Sequence, residues 1–452
     1  MARQTLWEPV HAAPKLARLM YARAPIVDDL AARIRARVLV RVVPYLLLLY
    51  FVAYLDRVNI SYAALEMRHD LSLTDHQYGF GAGIFFVGYF LFEIPGTLLV
   101  ETWSARGWIA RILVGWGLVA CAMAFVRTAN QFYWLRFLLG AAEAGFFPGV
   151  LVYLSHWFRA EDRARAFALF MLAVPLSNVI GAPVSGLLLG AHWAGLPGWR
   201  WLFLLEGLPA IVLGVVTLFY LTDRPRDARW LSDAEKTFLL EALAREAAET
   251  PVAPGWRSLA RAVLRREILL LVLAYFGIVT TSYGFSLWMP TMVKSLTHLP
   301  NFTVSLIATL PYVAGGICTA VSGWSSDRTG ERRFHAITPM LMAAAGLLIA
   351  IVAPAVSGWG LLSLALVGGG IYGFMPPFWA MPRWFLSGAA GAAAVGLINS
   401  TGCLGGFVGP FLMGHLKSGS AGYGPGLAAL GATATFAALM IFLVRPPRRI
   451  AV

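Results

Sequence analysis

The sequence predicts an all-α integral membrane protein, with 12 transmembrane helices in two six-helix halves. Three observations carry this. Of 452 residues, 59% are hydrophobic and only 13% charged, with a mean hydropathy of +0.69, where soluble chains hold about 25% charged residues. Twelve apolar runs each approach the roughly 20 residues that a helix needs to cross a bilayer core. A charged segment, 222–267, divides those runs six and six. So little charge cannot cover a water-facing surface. A soluble enzyme is excluded, and so is a nucleic-acid binder, although the net charge is +13.

The runs lie at 42–62, 79–101, 109–127, 131–155, 165–190, 200–221, 268–292, 303–325, 336–354, 359–381, 390–416 and 423–444. Residues 1–41 form a basic leader with eight Lys/Arg and no short apolar core before a cleavage site. The first run therefore reads as a retained span, not a signal peptide, and an over-called start would account for the leader's length. With the N-terminus inside, the inner segments hold 29 of the 36 Lys/Arg and the outer loops five. Positive charge stays on the cytoplasmic side, so both termini are placed there and the chain in the cell (inner) membrane. The domains are the leader 1–41, an N-terminal half 42–221, a cytoplasmic linker 222–267, a C-terminal half 268–444 and a tail 445–452. In the linker, Ser232 followed by Glu235 forms a capping box that starts a short helix. Cys121, Cys318 and Cys403 sit far apart in apolar runs and the eight histidines lie in loops or near span ends. No disulfide framework or metal site is expected.

The halves echo one another. Gly145-Phe146-Phe147-Pro148 in the fourth run is matched by Gly373-Phe374-Met375-Pro376 in the tenth. The fifth and eleventh runs are dense in small residues, among them Gly181, Gly186, Gly402, Gly405, Gly406 and Gly409. Small residues let backbones approach closely in lipid, so these helices suit a sliding contact between halves; static packing serves equally well for any single glycine. Two parallel six-helix halves rocking about a mid-membrane site is the major facilitator architecture.

An ionisable group at mid-membrane costs at least ~2.5–3.5 kcal/mol, which makes each a functional candidate. Asp56 and Arg57 stand in the first run, Glu93 in the second, Arg136 and Glu143 in the fourth and Glu206 in the sixth, while the C-terminal runs carry none at their centres. Arg136 and Glu143, two turns apart, share a helix face. Asp56 and Arg57 point about 100° apart. The natural arrangement turns Arg57 to a central cavity, where its fork would clamp a carboxylate, and sends Asp56 to Arg136 or Glu143. The competing reading is a structural ion-pair lattice. Glu93 and Glu206, near helix breaks, read as structural.

Several stretches stand in a specific order: Tyr54-Leu55-Asp56-Arg57-Val58-Asn59, Arg136 to Pro148, Gly198-Trp199-Arg200-Trp201-Leu202-Phe203, Gly323-Trp324-Ser325-Ser326-Asp327-Arg328-Thr329-Gly330, Phe378-Trp379 and Ile398-Asn399-Ser400. Together they resemble the anion:cation symporter family of the major facilitator superfamily, over about Val42 to Val444. The resemblance implies uptake of a small organic carboxylate (sugar acid, tartrate, phthalate or another aromatic acid) with protons, by alternating access. It assigns the carboxylate to Arg57, with Tyr54, Tyr89, Trp379 and Asn399 as further substrate contacts. Asp56 and Glu143 take up protons and Arg136 tunes them. Asp327 and Arg328 fall in the superfamily's gating loop, whereas the equivalent first-half stretch, Thr97 to Arg111, keeps Glu101 and Arg106 but lacks the Asp-Arg pair. Val174 stands where sugar-acid carriers have glutamine, and Tyr54, Tyr89, Tyr283, Trp288, Phe378 and Trp379 make the cavity aromatic. That favours tartrate-like or aromatic acids.

The cycle expected is electrostatic. Ionised Asp56 and Glu143 oppose an incoming anion and compete for Arg57; protonation frees the guanidinium. No cofactor is expected beyond the proton as coupling ion. The expected partners are the carboxylate, protons and the lipid bilayer, with no nucleic acid and a monomeric chain. A same-fold exporter or antiporter remains an alternative, as do, from other classes, a membrane-embedded enzyme and a transport-dead sensor.

Overall fold

The computed structural model describes residues 25–102, 104–249, 256–353, 356–386, 388–417 and 422–446. These form helices and no strand. Twelve spans follow the predicted order. The first is Pro25–Asp70, the second Asp75–Thr102 and the third Ala105–Met123. The fourth is Ala129–Glu143 continued by Phe146–Trp157, the fifth Ala160–Met171 continued by Ala173–Leu189, and the sixth Gly198–Tyr220. The seventh is Arg266–Thr297, the eighth Asn301–Ile307 continued by Leu310–Thr329, and the ninth Arg333–Val352. The tenth is Gly358–Gly373 continued by Met375–Ala380, the eleventh Gly388–Leu416 and the twelfth Gly424–Leu443. Among the described residues, 11 helices are long and apolar enough to cross a membrane; the second span, with 28 residues, is the remaining crossing. Phe219, Val352 and Trp134 stand on the outside with more than half of their surface open, as side chains facing hydrocarbon do, because only helices and closed barrels satisfy their backbone in lipid.

The first helix is longer than the apolar run predicts, 46 residues, or about 69 Å. Its Ala-, Leu- and Arg-rich start has high helix propensity, and Pro44 does not end it. Residues 25–41 are thus a helical extension of the first span, and residues 1–24 of the leader lie outside the described residues. The extension docks on the start of the fifth span, the end of the sixth and the linker helix, at the end of the bundle where residues 25 and 446 lie, here the terminal face. Arg35 pairs with Asp162 at 3.1 Å, Arg37 with Glu235 at 2.8 Å, and Arg41 lies 3.8 Å over the Tyr220 ring.

The capping box forms as predicted: the Ser232 N–H donates to Glu235 at 2.8 Å, and the Glu235 N–H to Ser232 Oγ at 3.3 Å. It opens the linker helix Asp233–Glu249. The repeated Gly-Phe-X-Pro motif also has its structural counterpart. The fourth span breaks at Gly145, which takes φ +85°, and the tenth breaks between Gly373 and Met375.

At the opposite end, the far face, the halves are closed on one another. Lys417 reaches Asp75 at 2.9 Å, Asn301 donates to Glu66 at 2.9 Å, and the Tyr78 hydroxyl donates to the Leu287 carbonyl at 2.8 Å. Glycines make the fit. A Cβ on Gly79 would stand 2.5 Å from the Pro410 carbonyl oxygen, and one on Gly186 2.7 Å from Ser305. Of the small residues singled out, Gly186 and Gly406 bear on the opposite half. Gly181, Gly402, Gly405 and Gly409 instead pack within their own halves, against Leu55, Tyr275, Phe276 and Thr280.

Candidate functional site

Three helices bring the predicted charges together. The second and fourth spans touch backbone to backbone: a Cβ on Gly140 would meet the Phe85 carbonyl oxygen at 1.9 Å, and one on Gly88 the Phe137 carbonyl oxygen at 2.2 Å. This contact sets Arg136 and Glu143 beside the first span. Arg57 forms an ion pair with Glu143. The Arg57 side chain is 13% exposed and that of Glu143 1%. The guanidinium also lies 5.6 Å from the Tyr54 ring centre, 5.7 Å from Phe85 and 5.3 Å from Tyr89. Arg57, Tyr54, Tyr89 and Glu143 therefore form one site, about 20 Å along the first helix from its far-face end at Asp70. Among the described residues, Arg57 Nε and Glu143 Oε2 have no protein hydrogen-bond partner, so each group keeps a polar atom free for a ligand or a proton.

Asp56 departs from expectation. It meets neither Arg136 nor Glu143. Its two oxygens accept from the Trp116 indole N–H at 2.6 Å and the Asn59 amide at 2.9 Å. The third span supplies the tryptophan, 60 residues away, and a neutral donor in an apolar run gives no sequence signal of its partner. Asp56 and Arg57 diverge as the 100° rule requires. Arg136, fully buried, donates to the carbonyls of Gly81 at 3.4 Å and Ala82 at 3.1 Å and lies 4.9 Å from the Phe85 ring. It fastens the fourth span to the second and is within electrostatic range of Asp56 and Glu143.

The C-terminal half faces this cluster with neutral groups. Trp379 packs edge-on to Tyr275 at 4.9 Å, and Tyr275 stacks on Phe378 at 5.4 Å. Tyr283 lies 4.3 Å from Phe86 of the other half. Trp288 is not part of this wall. It is buried near the far face, donates to the Pro410 carbonyl at 3.0 Å and meets Tyr78 edge-on at 4.9 Å. Val174 lines up with the small polar residues of the fifth span, where Asn178 donates to its carbonyl at 2.8 Å. Asn399, an expected substrate contact, is already engaged: its amide donates to Glu93 Oε1 at 2.9 Å, and Ser400 donates to Glu93 Oε2 at 2.9 Å. Glu93, read from sequence as structural, therefore bridges the halves. The apolar run around it gave no signal of those partners in the other half.

The gating loop is also rearranged. Asp327 pairs with Arg332 at 2.5 Å, not with Arg328, which lies 5.5 Å over Trp324. Successive helical residues diverge, whereas Gly330, at φ +68°, turns the chain and brings Arg332 back. In the first-half counterpart, Arg106 and Ser104 hold Asp223 by an N–H at 2.9 Å and a hydroxyl at 2.8 Å; the side chain of Glu101 lies outside the described residues. Among those residues, no group of three His, Cys, Asp or Glu could hold a metal.

The model of the Major Facilitator Superfamily matches residues 46–410. The chain belongs to this superfamily. It is a multi-pass membrane transporter and not an enzyme. The superfamily chain is 46% identical over 403 residues to a protein of Agrobacterium vitis named "Putative tartrate transporter", with 89% of each covered. It is 38% identical to a protein of Acinetobacter baumannii named "Quinolone resistance transporter", covering 89% of this chain and 93% of that one. Its fold is that of a bacterial homologue of the human lysosomal transporter Spinster, solved in an inward-facing, unoccupied conformation. That likeness has a TM-score of 0.75 at 18% identity and covers 91% of this chain and 97% of the other.

Proposed function

We propose that this transporter takes up a small organic carboxylate, of the tartrate class, together with protons. The observation that carries the reading is the Arg57–Glu143 pair, buried beneath three aromatic rings. While Glu143 is ionised, the guanidinium is occupied. Such a pair at contact distance is worth about 4 kcal/mol at an effective dielectric near 20, roughly three powers of ten in availability. A proton on Glu143 removes that competitor. Arg57 then offers its planar fork to a carboxylate, which it holds with two parallel hydrogen bonds. Tyr54 and Tyr89 flank the bound anion, and Trp379 and Asn399 meet it from the other half. Asp56 takes the second proton, and Arg136 sets the potential felt by both acids. The name of the relative at 46% identity supports a tartrate-like substrate.

The protein works in the cell (inner) membrane with both termini in the cytoplasm, which makes the far face the outer one, in keeping with the 29 inward Lys/Arg. On that reading the closure at the far face shuts the site off from the outside. The test is uptake of labelled tartrate into proteoliposomes. An acidic exterior should drive accumulation, Arg57→Ala should abolish it, and Glu143→Gln should keep counterflow while losing the gradient's effect. Uptake that ignores acidity and both substitutions defeats the reading. A second reading is export or antiport by the same fold; the A. baumannii relative is named for quinolone resistance. Adding substrate at zero gradient separates the two: symport carries protons with the anion, antiport against it.

A further inference from the structure

We propose that Glu93 is a built-in carboxylate that closes the central pathway toward the terminal face, and that the transported anion opens it by taking over its partners. The second clause rests on the carboxylate reading above; the first does not. Glu93 is buried and stands 18 residues into the second span from Asp75, about 27 Å along the axis. It is therefore nearer the terminal face than the Arg57–Glu143 pair by roughly one and a half turns of helix. Each of its oxygens accepts one hydrogen bond from the other half, from Asn399 and from Ser400. These two hydrogen bonds join the halves on the terminal side of Arg57. At the far face three such contacts do so.

The chemistry of the contact points to the cargo. An amide and a hydroxyl presented to two oxygens of one carboxylate form a cradle that a free carboxylate fills equally well. Arg57 lies within electrostatic range of Glu93. An anion gripped by Arg57 can reach Asn399 and Ser400 only by displacing Glu93, and that displacement unties the halves. The helix around Glu93 is placed to transmit the change. Pro95 follows two residues later, and Gly96 abuts the break in the fourth span, where its Cβ would stand 3.1 Å from the Ala144 carbonyl oxygen.

Cys403, one turn beyond Asn399 on the same helix and only part-buried, provides a native reporter. In purified full-length protein carrying Cys121→Ser and Cys318→Ser, the rate of Cys403 modification by a water-soluble maleimide measures opening without any substrate. Glu93→Ala should label faster by about tenfold or more, the loss of a charge-assisted hydrogen bond. Glu93→Gln, which keeps the shape and loses the charge, should fall between. Equal rates in all three overturn the closure. Tartrate is then titrated. Glu93→Ala should bind it about tenfold more tightly than the unsubstituted protein, because the internal competitor is gone, and unchanged or weaker binding overturns the displacement. If no form binds tartrate, the carboxylate reading fails while the labelling rates still decide the closure.

Discussion

Asp56 and Arg57 are neighbours in the chain, yet their surroundings differ in kind. Arg57 has a charged partner that a proton can neutralise, and Asp56 has two neutral donors. Two outcomes follow at this scale. Arg57→Lys should restore little of the transport lost in Arg57→Ala, because an ammonium is a point charge without the fork; initial uptake rates check this. Trp116→Phe removes one donor to a fully buried carboxylate, at a cost of about 1–3 kcal/mol, and should lower the melting temperature without removing any proposed substrate contact. The charged residues themselves were legible in the sequence, because an ionisable group in an apolar run is expensive and so stands out. Their partners were not. Trp116, Asn399 and Ser400 are neutral residues on other helices, and nothing in local pattern marks which of many such groups faces a given acid.

The linker helix was legible because its cap has local chemistry, Ser232 with Glu235. The interruptions of the fourth and tenth spans at Gly145 and Gly373 were not, since that motif reads in sequence only as a repeat between the halves. Close helix approach was read only as a tendency; the structure assigns it residue by residue. Gly140→Val should force the second and fourth spans apart, since its Cβ would already overlap the Phe85 carbonyl oxygen. A large loss of thermal stability together with loss of substrate binding is expected. In the linker, the Ser232 backbone N–H, the Ser232 hydroxyl and Arg37 hold the Glu235 carboxyl below the usual carboxylate range. Its contribution is therefore complete above that range and fades as pH falls through the lowered value. Glu235→Ala should weaken the start of Asp233–Glu249 by about 1 kcal/mol, read as faster amide exchange there at neutral pH, with the difference from the unsubstituted chain shrinking in acid. The extension of the first helix over residues 25–41 was missed because hydropathy marks where a helix meets lipid, not where it ends.

Across the whole molecule the halves are alike in fold and unlike in charge. The N-terminal half carries Asp56, Arg57, Glu93, Arg136, Glu143 and Glu206 inside its spans, and the C-terminal half answers with aromatic rings, amides and hydroxyls. In the proposed cycle, proton handling belongs to one half and recognition of shape and polarity to the other. The twelve-span plan and its two repeats could be read from composition and spacing, because lipid enforces both. Which face is closed could not, since closure depends on contacts such as Lys417 with Asp75 between residues hundreds of positions apart. The central claim is that a proton on Glu143 releases Arg57 to hold a carboxylate. Its most direct test is the tartrate affinity of purified protein measured against pH, for the unsubstituted chain and for Glu143→Gln. Affinity should weaken as pH rises in the former and stay high and level in the latter; the same slope in both, or none in either, contradicts it.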